Sequence, residues 1–136
     1  MERVGSISPA DILTMVNTNY VGQVALTQEI LQSYLVRGGH GDIVNVGSIA
    51  GREGYEGGSI YCATKAALRS FTEALRKEMV NTRVRVMEID PGLVETEFFF
   101  VRFAGDVEKA NQFYAYASLS LLFYLFLLPP PLNLMK

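Results

Sequence analysis

Tyr61 and Lys65 stand four residues apart in Tyr61-Cys62-Ala63-Thr64-Lys65. On a helix that spacing puts both side chains on one face, a phenol beside an ammonium. Ser48 lies 13 residues before the tyrosine, at the end of a short β-branched run, where open α/β sheets place their ligands. The loop between them holds Gly51, Gly54, Gly57 and Gly58 and can fold back to bring the hydroxyl to the phenol. A hydroxyl, a phenol and a cation converging at strand ends suit the reduction of a carbonyl. One group polarises the oxygen while another delivers a proton as hydride arrives.

The magnitudes are adequate. A free phenol ionises near pH 10, and lowering that by about three units takes roughly 4 kcal/mol of preference for the phenolate. An ammonium about 4 Å away, at an effective dielectric of about 20, supplies about that much. The same pair also occurs on ordinary helices as an aromatic ring under a lysine stem. Spacing alone leaves both readings open.

The elements that must position these groups follow from local pattern. Ser8-Pro9-Ala10-Asp11 is a helix start, with a capping serine, a proline at the first helical position and an acid in the first turn. Ile12, Met15, Val16, Asn19 and Tyr20 then fall on one side. Val24, Leu26, Ile30, Leu31 and Leu35 carry a largely apolar pattern to about Val36, so one long helix packed on something large is predicted. Gly38-Gly39-His40-Gly41 predicts a turn, and Asp42-Ile43-Val44-Asn45-Val46 a buried strand.

After the loop from Gly47 to Gly58, a second helix is expected from about Ile60 to Val80, with Ala67, Phe71, Ala74 and Leu75 on one face. Arg83 to Ile89 alternates and stops at Asp90-Pro91-Gly92, a second strand. Strand, helix, strand is the right-handed parallel crossover unit. Two strands alone leave faces and edges uncovered, which implies further strands or a partner that supplies them.

Composition narrows the function classes. The 136 residues suit one domain, 49% hydrophobic and 19% charged, which argues against disorder. Twelve basic residues against fourteen acidic ones give a formal charge of −2, no field for a nucleic-acid backbone. The single Cys62 makes no disulfide or metal cluster and fits a cytoplasmic setting. No metal site is expected.

Four ordered motifs resemble those of the short-chain dehydrogenase/reductase family: Asn17-Thr18-Asn19-Tyr20-Val21-Gly22, Val46-Gly47-Ser48-Ile49-Ala50-Gly51, Tyr61-Cys62-Ala63-Thr64-Lys65 and Asp90-Pro91-Gly92-Leu93-Val94-Glu95-Thr96. Gly92 to Phe98, Val101-Arg102-Phe103 and Gly105-Asp106 are similar to its NADP-dependent 3-hydroxy acid (serine) dehydrogenase subgroup. The likeness runs from about Asp11 to Tyr114.

The resemblance implies an α/β fold, a partial Rossmann-like doubly wound parallel sheet lacking its N-terminal strands. It implies hydride transfer between NADP and a hydroxy acid or related alcohol or carbonyl, with nothing in the sequence deciding NADP over NAD. Tyr61 would be the general acid/base. Lys65 would lower its pKa and hold the nicotinamide ribose. Ser48 would hydrogen-bond the substrate oxygen, and Asn19 would hold a water linking Lys65 to solvent. Pro91, Gly92 and Val94 would pass the backbone beside the carboxamide, with Thr96 near the cofactor. The face of the 60–80 helix carrying Ala67, Phe71 and Leu75 would pair two copies, or pair this chain with a full-length relative if it is an interaction module without catalysis.

The sequence departs from the family twice. No glycine-rich strand-to-helix turn precedes the asparagine motif, so the pyrophosphate has no evident anion site. The family-like part is therefore expected to be residues 1–114, a truncated dehydrogenase domain weak or inactive alone. Residues 115–136 would be an atypical apolar tail. Phe113 to Leu128 holds sixteen uncharged residues, just short of a bilayer span. An aberrant tail is favoured over a membrane segment, because the enzyme-like part has no other membrane feature.

Lesser candidates are Arg52 and Arg102, as clamps for a substrate carboxylate or plain surface charge. Phe98-Phe99-Phe100 would be a lid or core, His40 a solvated turn residue and Cys62 a small buried one.

Overall fold

Ser8 begins the first helix by accepting from the Asp11 backbone N–H at 3.1 Å and donating its own hydroxyl to Asp11 Oδ2 at 2.7 Å. In the computed structural model, which describes residues 4–92, 105–108 and 111, that helix is α1 (Pro9–Val16). It runs through a π-helical turn, Asn17–Val21, straight into α2 (Gly22–Val36). The predicted single helix is thus continuous but locally widened, a distortion often found at functional sites. Ile12, Met15, Val16, Asn19 and Tyr20 are half-buried, as their spacing predicts. The pattern weakens along α2. Val24 and Leu31 are half-buried, but Leu26, Ile30 and Leu35 stay exposed and Thr27 is the one buried residue.

Gly38 and Gly39 end the helix with φ of +99° and +65°, the left-handed conformation that glycine adopts without a Cβ penalty. Their N–H groups return to Leu35 O at 3.2 Å and Tyr34 O at 2.8 Å. The turn therefore needs only these two residues. His40 and Gly41, expected in it, instead open β1 (His40–Val46), which starts two residues before the predicted Asp42.

The crossover forms as expected. β1 leads through a 3₁₀ turn (Ile49–Gly51) to α3 (Ser59–Glu78) and back to β2 (Arg83–Ile89). The strands pair in parallel from His40 opposite Arg83 to Val46 opposite Ile89. Alternation along both strands turns Ile43, Asn45, Val84 and Val86 inward against α3. Ile43, Leu75, Val84 and Val86 form the core, flanked by Leu31, Tyr34, Phe71 and Met79.

The buried stripe of α3 differs from the one read off its apolar residues. Cys62, Thr64, Leu68, Thr72 and Leu75 are buried, Ala67 and Phe71 only half-buried, and Ala74 exposed. Threonines enter the core because each satisfies its hydroxyl within the helix: Thr64 Oγ1 donates to Tyr61 O and Thr72 Oγ1 to Leu68 O, both at 2.8 Å. Asn45 Nδ2 in turn donates to Thr72 Oγ1 at 2.8 Å, so no buried donor of that pair is wasted. The α3 face expected to pair two copies makes contacts within the chain. Leu75 lies in the core, and Phe71 meets the edge of Tyr20 with ring centroids 6.5 Å apart.

The opposite face of the sheet has no helix on it among the described residues. Val44, Val46, Met87 and Ile89 are 40–57% exposed there, which is the deficit a two-stranded parallel sheet carries. The chain divides into the units Met1–Pro91 and Gly92–Lys136, and everything above concerns the first. Val94, Thr96, Phe98, Phe99, Phe100, Arg102 and the apolar tail lie outside the described residues. No helix among the described residues is long and apolar enough to cross a membrane.

Candidate active site

The site is built at the carboxyl ends of β1 and β2, where the chain leaves the sheet in two short turns. Gly47 N–H donates to Ile89 O at 2.8 Å, and Ile49 N–H donates to Pro91 O at 3.1 Å. These two bonds extend the strand pairing past the sheet and fix Ser48 between them. Ser48 has extended backbone and caps the 3₁₀ turn, its Oγ accepting from Ala50 N–H at 3.1 Å. That bond uses the oxygen as an acceptor and leaves the O–H proton of Ser48 uncommitted by it.

Gly51 brings this loop onto α3. A Cβ there would lie 2.9 Å from the Lys65 backbone carbonyl, so only glycine allows so close an approach. The contact sets the loop of Ser48 against the helical turn that carries Tyr61 and Lys65. Lys65 then reaches back toward the sheet: its Nζ donates to Val46 O at 2.9 Å and lies 5.9 Å from the centre of the Tyr61 ring. The phenol-bearing ring and the ammonium do share a face, and the ammonium sits two residues from Ser48.

From the other side, the π-turn presents Asn19, whose Nδ2 donates to Thr64 Oγ1 at 3.3 Å. The widened turn thus aims Asn19 at the residue preceding Lys65. Pro91 closes the floor through its carbonyl, and Gly92 opens the second unit.

Burial pushes the Lys65 ammonium below the ordinary lysine value of 10.5, against the opposing pull of Asp90 and Glu88. Glu88 is raised, first by burial and then by the neighbouring Asp90 charge. These two carboxyls lay outside the sequence reading. The period-2 alternation of β2 could have found Glu88, since it puts that residue on the same side as Val84 and Val86.

Arg52, expected as a carboxylate clamp or plain surface charge, is exposed but paired within the chain. Its Nε and Nη2 meet Asp90 Oδ2 at 2.7 and 2.6 Å. His40 is exposed at the far end of β1, and Cys62 is buried. No group of three His, Cys, Asp or Glu that could hold a metal exists among the described residues.

A parallel β-α-β unit that gathers a serine, a tyrosine and a lysine at the carboxyl ends of its strands is an α/β arrangement of the doubly wound kind, in which ligands bind at that edge. Residues 1–105 match the short chain dehydrogenase family, and the chain belongs to it. It is 54% identical over 113 residues to the NADP-dependent 3-hydroxy acid dehydrogenase of Schizosaccharomyces pombe, covering 83% of this chain and 43% of that protein. Against the enzyme of the same description from Escherichia coli it is 46% identical, covering 84% and 46%.

Among solved structures, serine dehydrogenase in its closed form complexed with NADP+ superposes with a TM-score of 0.78 at 40% identity. That match covers 95% of this chain and 55% of that one. The chain spans a little under half the length of the curated relatives it matches.

Proposed function

We propose that the chain carries the catalytic end of an NADP-linked oxidoreductase that interconverts a hydroxy acid, or a related alcohol, and its carbonyl. The observation that carries this reading is the Lys65 ammonium, held between the Val46 carbonyl and the Tyr61 ring. The relatives' printed activities support the cofactor and substrate class.

The residues fit one end of the cofactor. An ammonium has three N–H donors, and Val46 takes one of Lys65's, which leaves donors for a ribose diol beside the Tyr61 hydroxyl. NADP would supply or accept the hydride. In the reducing direction Tyr61 gives its proton to the substrate oxygen, and Ser48 donates a second hydrogen bond to the same atom. Lys65 holds positive charge beside the phenol as that proton leaves, and Asn19 would orient a water that restores it. In the oxidising direction the same groups run in reverse. Pro91, with Gly92, Val94 and Thr96 following it, would border the carboxamide.

Among the described residues none forms a glycine-rich cradle for the pyrophosphate, so turnover by this chain alone is expected to be weak. The single buried Cys62 agrees with a cytoplasmic setting, and no nucleic-acid or membrane role is assigned.

The test is a fluorescence titration of the chain with NADPH and NADH, followed by an assay with 3-hydroxy acids. Dehydrogenation that requires Tyr61 supports the reading. Absence of both nucleotide binding and turnover removes it.

One observation favours a second reading. The uncovered apolar face of Val44, Val46, Met87 and Ile89 suits a module that meets a longer relative through its sheet. Size-exclusion chromatography of the mixture with a full-length family member separates the two, since a module needs to co-elute.

A further inference from the structure

The alternation of β2 turns Glu88 inward, and the strand ends at Ile89, the residue before Asp90. Glu88 Oε1 and Asp90 Oδ1 are both buried, and neither meets an N–H or O–H donor. They crowd one point: a Cβ built on Gly47 would collide with both oxygens. Glycine at 47 is what lets the two carboxyls close over the end of β1.

The other oxygen of Asp90 is already engaged, since Oδ2 accepts from Arg52 Nε at 2.7 Å and Nη2 at 2.6 Å. That ion pair occupies Oδ2 and leaves Oδ1 without a donor. Two charged carboxylates side by side would repel and stay unsatisfied together, whereas one proton between them removes both costs.

We propose that Glu88 is protonated and donates to Asp90 Oδ1, a carboxyl–carboxylate clasp that closes over Gly47 and sets Asp90 for its ion pair with Arg52 of the Ser48 loop. Its position supports that role. The backbone bonds from Gly47 to Ile89 and from Ile49 to Pro91 flank it, and Ser48 stands between them. Arg52 extends the same clasp to the loop that follows Ser48.

The charged groups around Glu88 come from three elements. Arg52 approaches from the loop after β1, Asp90 from the end of β2, and Arg69 from α3. Lys65 of α3 also feels Glu88, and Glu73, Arg76 and Lys77 of α3 share its recess. Burial and the Asp90 charge push the Glu88 proton on, while Arg52 and Arg69 pull it off. Above the pH at which that proton leaves, the clasp opens and Glu88 and Asp90 repel. The clasp depends on the fold around Gly47 and is independent of the proposed activity.

The experiment is a carboxyl carbon-13 NMR titration of the whole chain, with Glu88 assigned through its own backbone. The expected midpoint lies above the ordinary glutamate range, the direction that burial and the Asp90 charge impose. Amide exchange at Gly47 and Ile49 accelerates through the same transition. In Glu88→Gln the side-chain amide donates at every pH, so those two amides keep their protection where the unsubstituted chain loses it. A Glu88 midpoint in the ordinary range overturns the proposal without recourse to the variant. Identical pH dependence of Gly47 and Ile49 exchange in both chains overturns it as well.

Discussion

Lys65 donates from its ammonium to the main-chain carbonyl of Val46 at 2.9 Å. One helix residue is thereby tied to the last residue of β1, and the charge is set beside the turn of Ser48. A lysine stem is long and loses considerable rotamer freedom when ordered. This anchor fixes it before any ligand arrives.

Tyr61→Phe keeps the aromatic ring under the Lys65 ammonium and removes only the hydroxyl. If the phenol transfers the proton, turnover falls by about 10²–10⁴-fold while the circular dichroism of the chain is unchanged. Steady-state assay of both proteins checks this, and equal rates would exclude Tyr61 as the acid/base.

Lys65→Met tests the cost of burying charge. The folded chain releases the Lys65 proton below 10.5, and the unfolded chain keeps it until about that value. Between those points the unfolded state binds more protons, so stability rises with pH. The burial cost is complete below the folded value and relieved as pH climbs toward 10.5. Relative to the native chain, the methionine variant should therefore lose ground as pH rises from 7 to 10.5. Urea unfolding across that range measures the difference, and a constant gap would contradict the burial argument.

Gly51→Ala drives a methyl group onto the α3 backbone at Lys65, which has no flexible end to move aside. Overpacking of this kind costs about 1–3 kcal/mol. Thermal unfolding should show that loss, accompanied by chemical-shift changes at Lys65 and Ala66. An unaltered melting temperature would mean the loop is not seated on the helix.

Thr72→Val leaves Asn45 Nδ2 buried without its acceptor, at an expected cost of about 1–3 kcal/mol. The double change Asn45→Leu with Thr72→Val removes both polar partners and should recover much of that loss. A double-mutant cycle by chemical denaturation reads the coupling directly.

The candidate site was legible because it is local. A tyrosine and a lysine four apart need only a helix to share a face, and Ser48 needs only the strand that ends before it. The same holds for β2, whose bounds are those its alternation predicts, and for the glycine-terminated helix before β1. The core face of α3 was not legible in the same way. Thr64 and Thr72 read as polar, yet each hides its hydroxyl in its own helix, a bond that hydrophobic periodicity does not register.

Arg52 likewise reads as a free cation until the fold brings Asp90 to it from 38 residues away. The π-turn at Asn17–Val21 leaves the apolar spacing around it intact, so nothing in the pattern announces it.

By itself the sequence determined the order of the elements, the family and the set of groups able to handle a proton, since each depends on neighbours in the chain. The tertiary structure alone decided which partner each charge meets: Lys65 with Val46 and Arg52 with Asp90. Those pairings depend on strand register and on how closely backbone approaches backbone. Both are set by packing between distant segments.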